Sequence, residues 1–405
     1  MKPSLLFWAT ATSALSLSLP RSKAALSPVT RNGTKLLVDG AEWKAVGPNI
    51  YWLGLDENVT PAAGEPYDPA TKASYPTKGR ITDALATVQA LGGTAIRTHT
   101  IGVSVGSPLS AVPEPGAVNE AAFEAIDWAV YQAGQYGVRL LVPLTDNWDY
   151  YHGGKYTFLR WAGFDLTQGR DSNNPLIQQF YTNETITAAF HEYVRTLLTH
   201  RNKYNNLTYA EDPAIFAYES GNELEGPVSR DLDVPVTWVR DLARLVKDLA
   251  PIKLFVDGTY GVSEAHLAID EVDIYSDHGY PIDVAKLRAN IELVAAAGKT
   301  FFAGEYDWTG QRGGAPLEDF YRVLEESPAA CGDAFWSLFG RNLPDCDTFV
   351  DHADGLTLHY GSPANTPATN SRIQLIRKHF LAMSQGLDIS PNETLPAVPC
   401  PPSTL

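Results

Sequence analysis

Cysteine is scarce. Three residues in 405 are too few for a disulfide scaffold and allow at most one bridge within the chain. Cys331 and Cys346 flank an expected strand, and at about 3.3 Å per residue that strand keeps them apart unless the loop folds back. Cys346 with the tail residue Cys400 stays open. Basic charge is short as well. Against 47 Asp and Glu there are 31 Lys and Arg, a formal net charge of −16, which argues against nucleic acid and anionic lipid as partners and suits a neutral substrate. The nine His residues form no His-Glu-x-x-His and no Cys/His cluster, so no metal is expected. No Gly-x-Gly-x-x-Gly follows the first strand-like run, which weakens a doubly wound nucleotide-binding sheet, and no cofactor is expected. After the first two dozen residues no run is long and apolar enough to span a bilayer.

The opening residues, "MKPSLLFWATATSALSLSLPRSKAAL", have the form of a secretory signal peptide. Lys2 supplies the positive start, Leu5 to Leu19 the apolar, hydroxyl-rich middle, and Ser22-Lys23-Ala24 a small-x-small cleavage site. A membrane anchor would need a longer and less Ser/Thr-rich run. Sequons at Asn32, Asn58, Asn183, Asn206 and Asn392 fit a secreted, extracellular glycoprotein. The expected organisation is a signal over 1–24, one domain over 25–388, and a Pro-rich tail over 389–405, acting as a monomer.

Asn32-Gly33 and Asp39-Gly40 are turn dipeptides between short apolar runs, so Val29 to Gly47 reads as a small N-terminal β-hairpin. Eight strand-like runs follow, at Ala45–Leu53, Thr94–Ile101, Arg139–Thr145, Ala214–Asn222, Lys253–Thr259, Val272–Tyr280, Thr300–Trp308 and Ala334–Gly340. Between them lie helical runs such as "EAAFEAIDWAVYQAGQYG", with apolar residues three and four apart. Apolar strands alternating with helices predict a parallel sheet covered on both sides. Eight such units close into a (β/α)8 TIM barrel.

Barrel enzymes carry their chemistry where the strands end, and the acidic residues there decide the reading. "AIFAYESGNELEGP" brings Glu219, Glu223 and Glu225 to the end of an apolar run. Extended alternation puts Glu219 and Glu223 on one face, roughly 13 Å apart in depth at about 3.3 Å per residue. Glu223 is then at the rim, Glu219 is an inner carboxylate tied to a cation such as Arg97, and Glu225 is solvated loop. Glu305 ends strand seven across the ring. Two facing rim carboxylates are what retaining glycoside hydrolysis requires, one as nucleophile and one as acid/base.

The motifs in order resemble glycoside hydrolase family 5, and within it the fungal endo-β-1,4-mannanases. The carriers are "AIRTHT", "DNWDYYHGG", "YESGNE", "DHGYP", "GEYDW" and "FWSLFG", and the likeness covers nearly the whole chain beyond the signal. The resemblance implies Glu223 as acid/base, Glu305 as nucleophile, Asn222 on the sugar 2-hydroxyl, Arg97 and Tyr280 aiming an ionised Glu305, and His278 beside Glu223. Trp336 would be a platform under the sugar. The loop after strand three brings Asn147 and Trp148 to the substrate, and Trp52 and Trp308 are further stacking candidates. The chain departs from the family pattern at Leu224, where Pro is common after the Asn-Glu pair, and at Asp307-Trp308 after Tyr306. Both changes lie at the rim where sugar is bound, so an exo-mannosidase or a β-glucanase stays open beside a mannanase.

Two rivals have other chemistry. "GVSVG", Gly102 to Gly106, matches the nucleophile elbow of serine hydrolases but runs into "SPLSAVPEPG", where proline prevents the helix an elbow must open. A non-catalytic carbohydrate-binding barrel would keep the aromatic rim and lose a carboxylate; both are present. His191 and His200 lie on a helical pattern and read as packed or surface residues.

Overall fold

The computed structural model describes residues 26–101, 105–166, 175–226, 234–390 and 393–402. The signal-like stretch, the sequon at Asn392 and Gly102 to Ser104 of the elbow-like motif lie outside the described residues. Three short strands open the chain: β1 (Thr30–Asn32), β2 (Lys35–Val38) and β3 (Ala41–Trp43). They pair antiparallel, so the two Gly turns produce a three-stranded meander, one strand more than the expected hairpin. A two-stranded ribbon, β5 (Tyr67–Asp68) with β6 (Ala73–Ser74), sits in the first long loop.

The eight barrel strands are β4 (Ala45–Pro48), β7 (Ala95–Arg97), β8 (Arg139–Pro143), β9 (Ile215–Glu219), β10 (Leu254–Asp257), β11 (Ile274–Gly279), β12 (Thr300–Tyr306) and β13 (Ala330–Phe335). They run parallel in the order β4-β13-β12-β11-β10-β9-β8-β7. The ring closes between β4 and β7, where Thr94 N–H donates to Val46 O at 2.8 Å and Ile50 N–H to Arg97 O at 2.9 Å. The fold is the (β/α)8 barrel the alternation predicts. The major helices are α1 (Lys78–Leu91), α2 (Phe123–Tyr136), α3 (Lys155–Trp161), α4 (Gln179–Thr182), α5 (Glu184–Thr199), α6 (Val236–Leu249), α7 (Val284–Ala296), α8 (Leu317–Glu326) and α9 (Pro367–Gln385). Their starts carry the expected chemistry: the Asn183 side chain accepts from the first backbone N–H groups of α5, and Asp283 does the same for α7.

The apolar core has two parts. Leu141, Phe216, Val256, Ile274 and Phe302 fill the lower barrel, and Val29 and Leu36 of the meander plug it from below. Arg31 fixes the plug by donating to Asp273 at 3.0 Å. A larger layer packs the helices on the outer faces of the strands. Strand eight begins four residues before its expected start. Asp333 interrupts the apolar pattern of "ACGDAF", yet it is fully buried, accepting from Tyr306 Oη at 2.8 Å and meeting His379 Nε2 at 2.9 Å.

The tail is tied down. Cys346 and Cys400 form a disulfide with Cα atoms 6.0 Å apart, Tyr360 donates to Pro396 O at 2.8 Å, and Cys331 is a free thiol buried inside the barrel. Among the described residues no helix is long and apolar enough to cross a membrane.

His379 on α9 bridges Asp333 of β13 and Glu325 of α8, with Nδ1 2.7 Å from Glu325, and stacks on Tyr321. Burial opposes its charge, but the two carboxylates outweigh burial and raise its pKa. A raised folded pKa gives stability that is complete below the unfolded value and is lost as pH rises through the folded one. Thermal melts should therefore show His379→Gln losing about 1.5–3 kcal/mol at pH 5, with the gap to the parent narrowing toward alkaline pH.

Candidate active site

The site is built around one guanidinium. Arg97 ends β7 fully buried, and each of its five N–H groups has an acceptor. Nε and Nη2 grip Glu219 at 2.8 and 3.0 Å, Nη1 donates to Asn49 at 3.1 Å and Glu305 at 2.8 Å, and Nη2 also reaches Asn222 at 2.9 Å. Glu219 is thus an inner counterion, while β9 stops there and the chain turns. Glu223 has φ 50°, a left-handed conformation that a non-glycine residue adopts at a cost. Simple alternation does not carry it to the mouth; the turn does.

Glu223 accepts from the Trp148 indole N–H at 2.7 Å, and its other oxygen lies 2.8 Å from His278 Nδ1. Glu305 is held on four sides. Oε1 takes Arg97 at 2.8 Å and faces His99 Nε2 at 3.0 Å; Oε2 takes Tyr280 Oη at 3.1 Å and lies 3.7 Å from His278. Burial alone would raise its pKa, but His278, His99 and Arg97 outweigh it and hold the carboxyl well below the ordinary range. His278 is raised in turn, against the cost of burial, by Glu305 and Glu223. The β11–β12 register shifts beside that imidazole, since Asp277 pairs with Ala303 and His278 with Glu305, which leaves Gly304 of β12 as the extra residue. Gly304 makes room for the ring, since a Cβ there would lie 2.8 Å from His278 Nε2.

One oxygen each of Glu223 and Glu305 and a ring nitrogen of His278 lie within 4.8 Å of one another. The trio has the outline of a cation site, but Arg97 on Glu305 would repel a dication, and a protonated imidazole between two carboxylates satisfies the same charges. A cavity of about 630 Å³ opens over the pair, in the range that holds a small ligand or a few sugar units. Trp336 forms one wall, its indole donating to Asp354 at 2.5 Å and its ring stacked on Tyr51 with centroids 5.8 Å apart.

Arg97, Trp148, Asn222, Glu223, His278, Tyr280, Glu305 and Trp336 converge here. Four other expectations give way. Asn147 is buried and donates to Gly226 O at 2.5 Å, fixing the turn after β9. Trp308 turns inward, its indole on Leu356 O at 2.7 Å and its ring against Phe335. Trp52 is fully buried beneath Arg80, whose guanidinium lies 4.1 Å from the ring. Glu225 is buried rather than solvated, paired with Lys155 at 2.7 Å.

The cavity also has lining that the sequence reading left out: Tyr51, His99, Asp146, Tyr150, His152, His352 and Asp354. His99 stands two residues beyond Arg97, a signal that was available. His352 and Asp354 come from an irregular segment after β13 with no pattern to read. Several of these residues cross-link loops. Tyr150 donates to Glu57, Tyr51 meets His352 Nδ1 at 3.3 Å, and the Asn58 amide donates to Tyr51 Oη at 3.1 Å and to Asp56 at 3.0 Å.

The chain is similar to known proteins along most of its length. It is 29% identical over 326 residues to mannan endo-1,4-beta-mannosidase 1 of Arabidopsis thaliana, covering 80% of this chain and 69% of that protein. It is 25% identical to mannan endo-1,4-beta-mannosidase 1 of Oryza sativa subsp. japonica, covering 88% of each. With a putative mannan endo-1,4-beta-mannosidase P of Arabidopsis thaliana it aligns at 31%, over about half (52%) of that protein. In fold it superposes on the endo-1,4-beta-mannanase of Rhizomucor miehei with a TM-score of 0.68 at 20% identity, covering 88% of this chain and 99% of that one. The family 5 mannosidase of the same organism gives 0.63 at 16% identity, covering 89% and 97%. A family model described as GH family 5 beta-mannosidase-like matches residues 29–278, and the chain belongs to glycoside hydrolase family 5.

Proposed function

We propose that this chain is a secreted retaining hydrolase of β-1,4-mannan that cleaves within the polysaccharide. The carrying observation is the closeness of the two rim carboxylates, within 4.8 Å oxygen to oxygen. A retaining pair stands about 5–5.5 Å apart and an inverting pair about 6.5–9.5 Å apart. Their surroundings divide the labour. Glu305, kept ionised by cations, attacks the anomeric carbon. Glu223, shared with His278, donates a proton to the departing glycosidic oxygen. Water then enters, Glu223 takes its proton, and hydroxide displaces the sugar from Glu305. Asn222 has its carbonyl on Arg97 and one amide hydrogen on Asp146 at 3.2 Å; the second amide hydrogen is left for the sugar 2-hydroxyl. Trp336 supplies an apolar face for the ring.

The names of the plant relatives favour mannan as substrate. The Cys346–Cys400 bridge fits an oxidising compartment and so supports secretion. Every group in the mechanism comes from one chain, so a monomer suffices. One observation favours exo action instead: the Tyr150–Glu57 and Tyr51–His352 links tie three loops together beside Trp336, as a wall at one end of the site would.

Product analysis on mannan, glucomannan, cellulose, β-1,3-glucan and galactan tests the reading. Mixed manno-oligosaccharides from mannan support it, mannose alone transfers it to exo action, and products from another polymer alone overturn the substrate. Glu305→Ala should lower kcat/KM by at least about 10³-fold on every substrate. Glu223→Gln should cost about 10²–10⁴-fold on mannan but little in the first step with a dinitrophenyl glycoside, whose leaving group needs no acid. Chelation with EDTA should leave the rate unchanged; a loss restored by added metal would reassign the Glu223–His278–Glu305 cluster.

A further inference from the structure

Two oxygens of Glu305 face the cavity region, and the structure treats them differently. Oε1 carries two partners, Arg97 at 2.8 Å and His99 at 3.0 Å, whereas among the described residues Oε2 has only Tyr280 within hydrogen-bond reach, at 3.1 Å. His99 follows β7, lines the cavity and has φ 48°, a left-handed backbone that aims its ring at Glu305. Its other nitrogen lies 3.4 Å from Asp146 Oδ2, and Asp146 Oδ1 accepts from Asn222 at 3.2 Å.

We propose that His99, carried as an imidazolium between Asp146 and Glu305, is a positioning residue for the nucleophile: it pins Oε1, leaves Oε2 to attack, and through Asp146 sets the nucleophile and Asn222 as one unit. This rests on Glu305 being the nucleophile. The charged and titratable groups facing His99 are Arg97 on its own strand, Glu305 on β12, and Asp146 and His152 after β8, with Tyr51 and Trp336 as ring neighbours at 6.3 and 5.2 Å. Burial and Arg97 oppose a charge on His99, while Asp146 and Glu305 outweigh them and raise its pKa. His152, 3.7 Å from the same Asp146 oxygen, is pushed down to about 4, by burial first. With a carboxylate on each ring nitrogen, His99 is favoured over His152 as the imidazole on Asp146 that holds a proton. It can then donate on both sides, to Asp146 and to Glu305.

The test combines a proton titration with kinetics. The Glu305 side-chain carboxyl is followed by carbon-13 NMR, assigned by its loss in Glu305→Gln, in the parent, His99→Ala, His99→Gln and Asp146→Asn. Each variant is also assayed with dinitrophenyl β-mannoside, where glycosylation reports the nucleophile without the acid. Removing the cation in His99→Ala should raise the Glu305 titration by about 1 unit or more and cut kcat about 10²-fold, with KM changed less than about threefold. His99→Gln keeps a donor for Oε1 and loses the charge, so it should recover most of kcat while its titration stays raised. Asp146→Asn should fall between. A folded His99→Ala whose Glu305 titration is unmoved overturns the proposal, as does one that titrates higher at full kcat. Should His99→Ala fail to fold, His99→Gln and Asp146→Asn decide through the same titration. A parent that hydrolyses neither this aryl mannoside nor its dinitrophenyl mannobioside and mannotrioside homologues would sink the mannoside reading, while the carboxyl titration would still decide the role of His99.

Discussion

A guanidinium sealed inside a barrel must spend all five of its hydrogens, and Arg97 does so on side chains that arrive from three other strands. A buried cation left short of partners is expensive, and removing one partner of a buried ion pair costs roughly 3–5 kcal/mol. The barrel therefore cannot close well unless Glu219, Glu305, Asn222 and Asn49 come to their places. Folding and the placement of the reactive carboxylate become one requirement. Glu219 absorbs two of the five hydrogens and sits deep, so it holds the cation where Glu305 can share it without neutralising it.

From that anchor the two rim carboxylates acquire different chemistry. Glu305 lies among Arg97, His99 and His278, which favour its charge. Glu223 sits one turn outside the guanidinium, between an indole N–H and the same His278. His278 touches both, and its room depends on Gly304, the residue that the β11–β12 register skips and whose missing side chain leaves space for the imidazole. One skipped glycine in β12 thus carries as much of the site as the glutamates do.

The repeating apolar strands and their spacing were legible from sequence because a parallel barrel writes near-continuous hydrophobic runs. Strand ends were less legible. Asp333 reads as a break, because only His379, some 46 positions later, reveals how a carboxylate is satisfied there. The rim glutamates could be found by motif, yet their route to the mouth could not: Glu223 reaches it by a left-handed turn, not by alternation. Tryptophans were the weakest ground. Trp336 and Trp148 face the cavity while Trp308 and Trp52 pack behind it, and nothing in their immediate neighbours separates the two cases. Asp354 and His352 come from irregular chain and become visible only in three dimensions.

The sequons differ in kind once the barrel is assembled. Asn183 engages its side-chain oxygen, as the cap of α5, where it accepts from the N–H groups of Thr185 and Ile186. Asn58 spends both amide hydrogens inward, on Tyr51 and Asp56, in the wall that backs Trp336. A glycan on that nitrogen would replace one of those hydrogens with a bulky sugar. With a glycan at Asn58, the choice of a glycosylating or non-glycosylating host for making this protein is also a choice about the cavity wall at Tyr51.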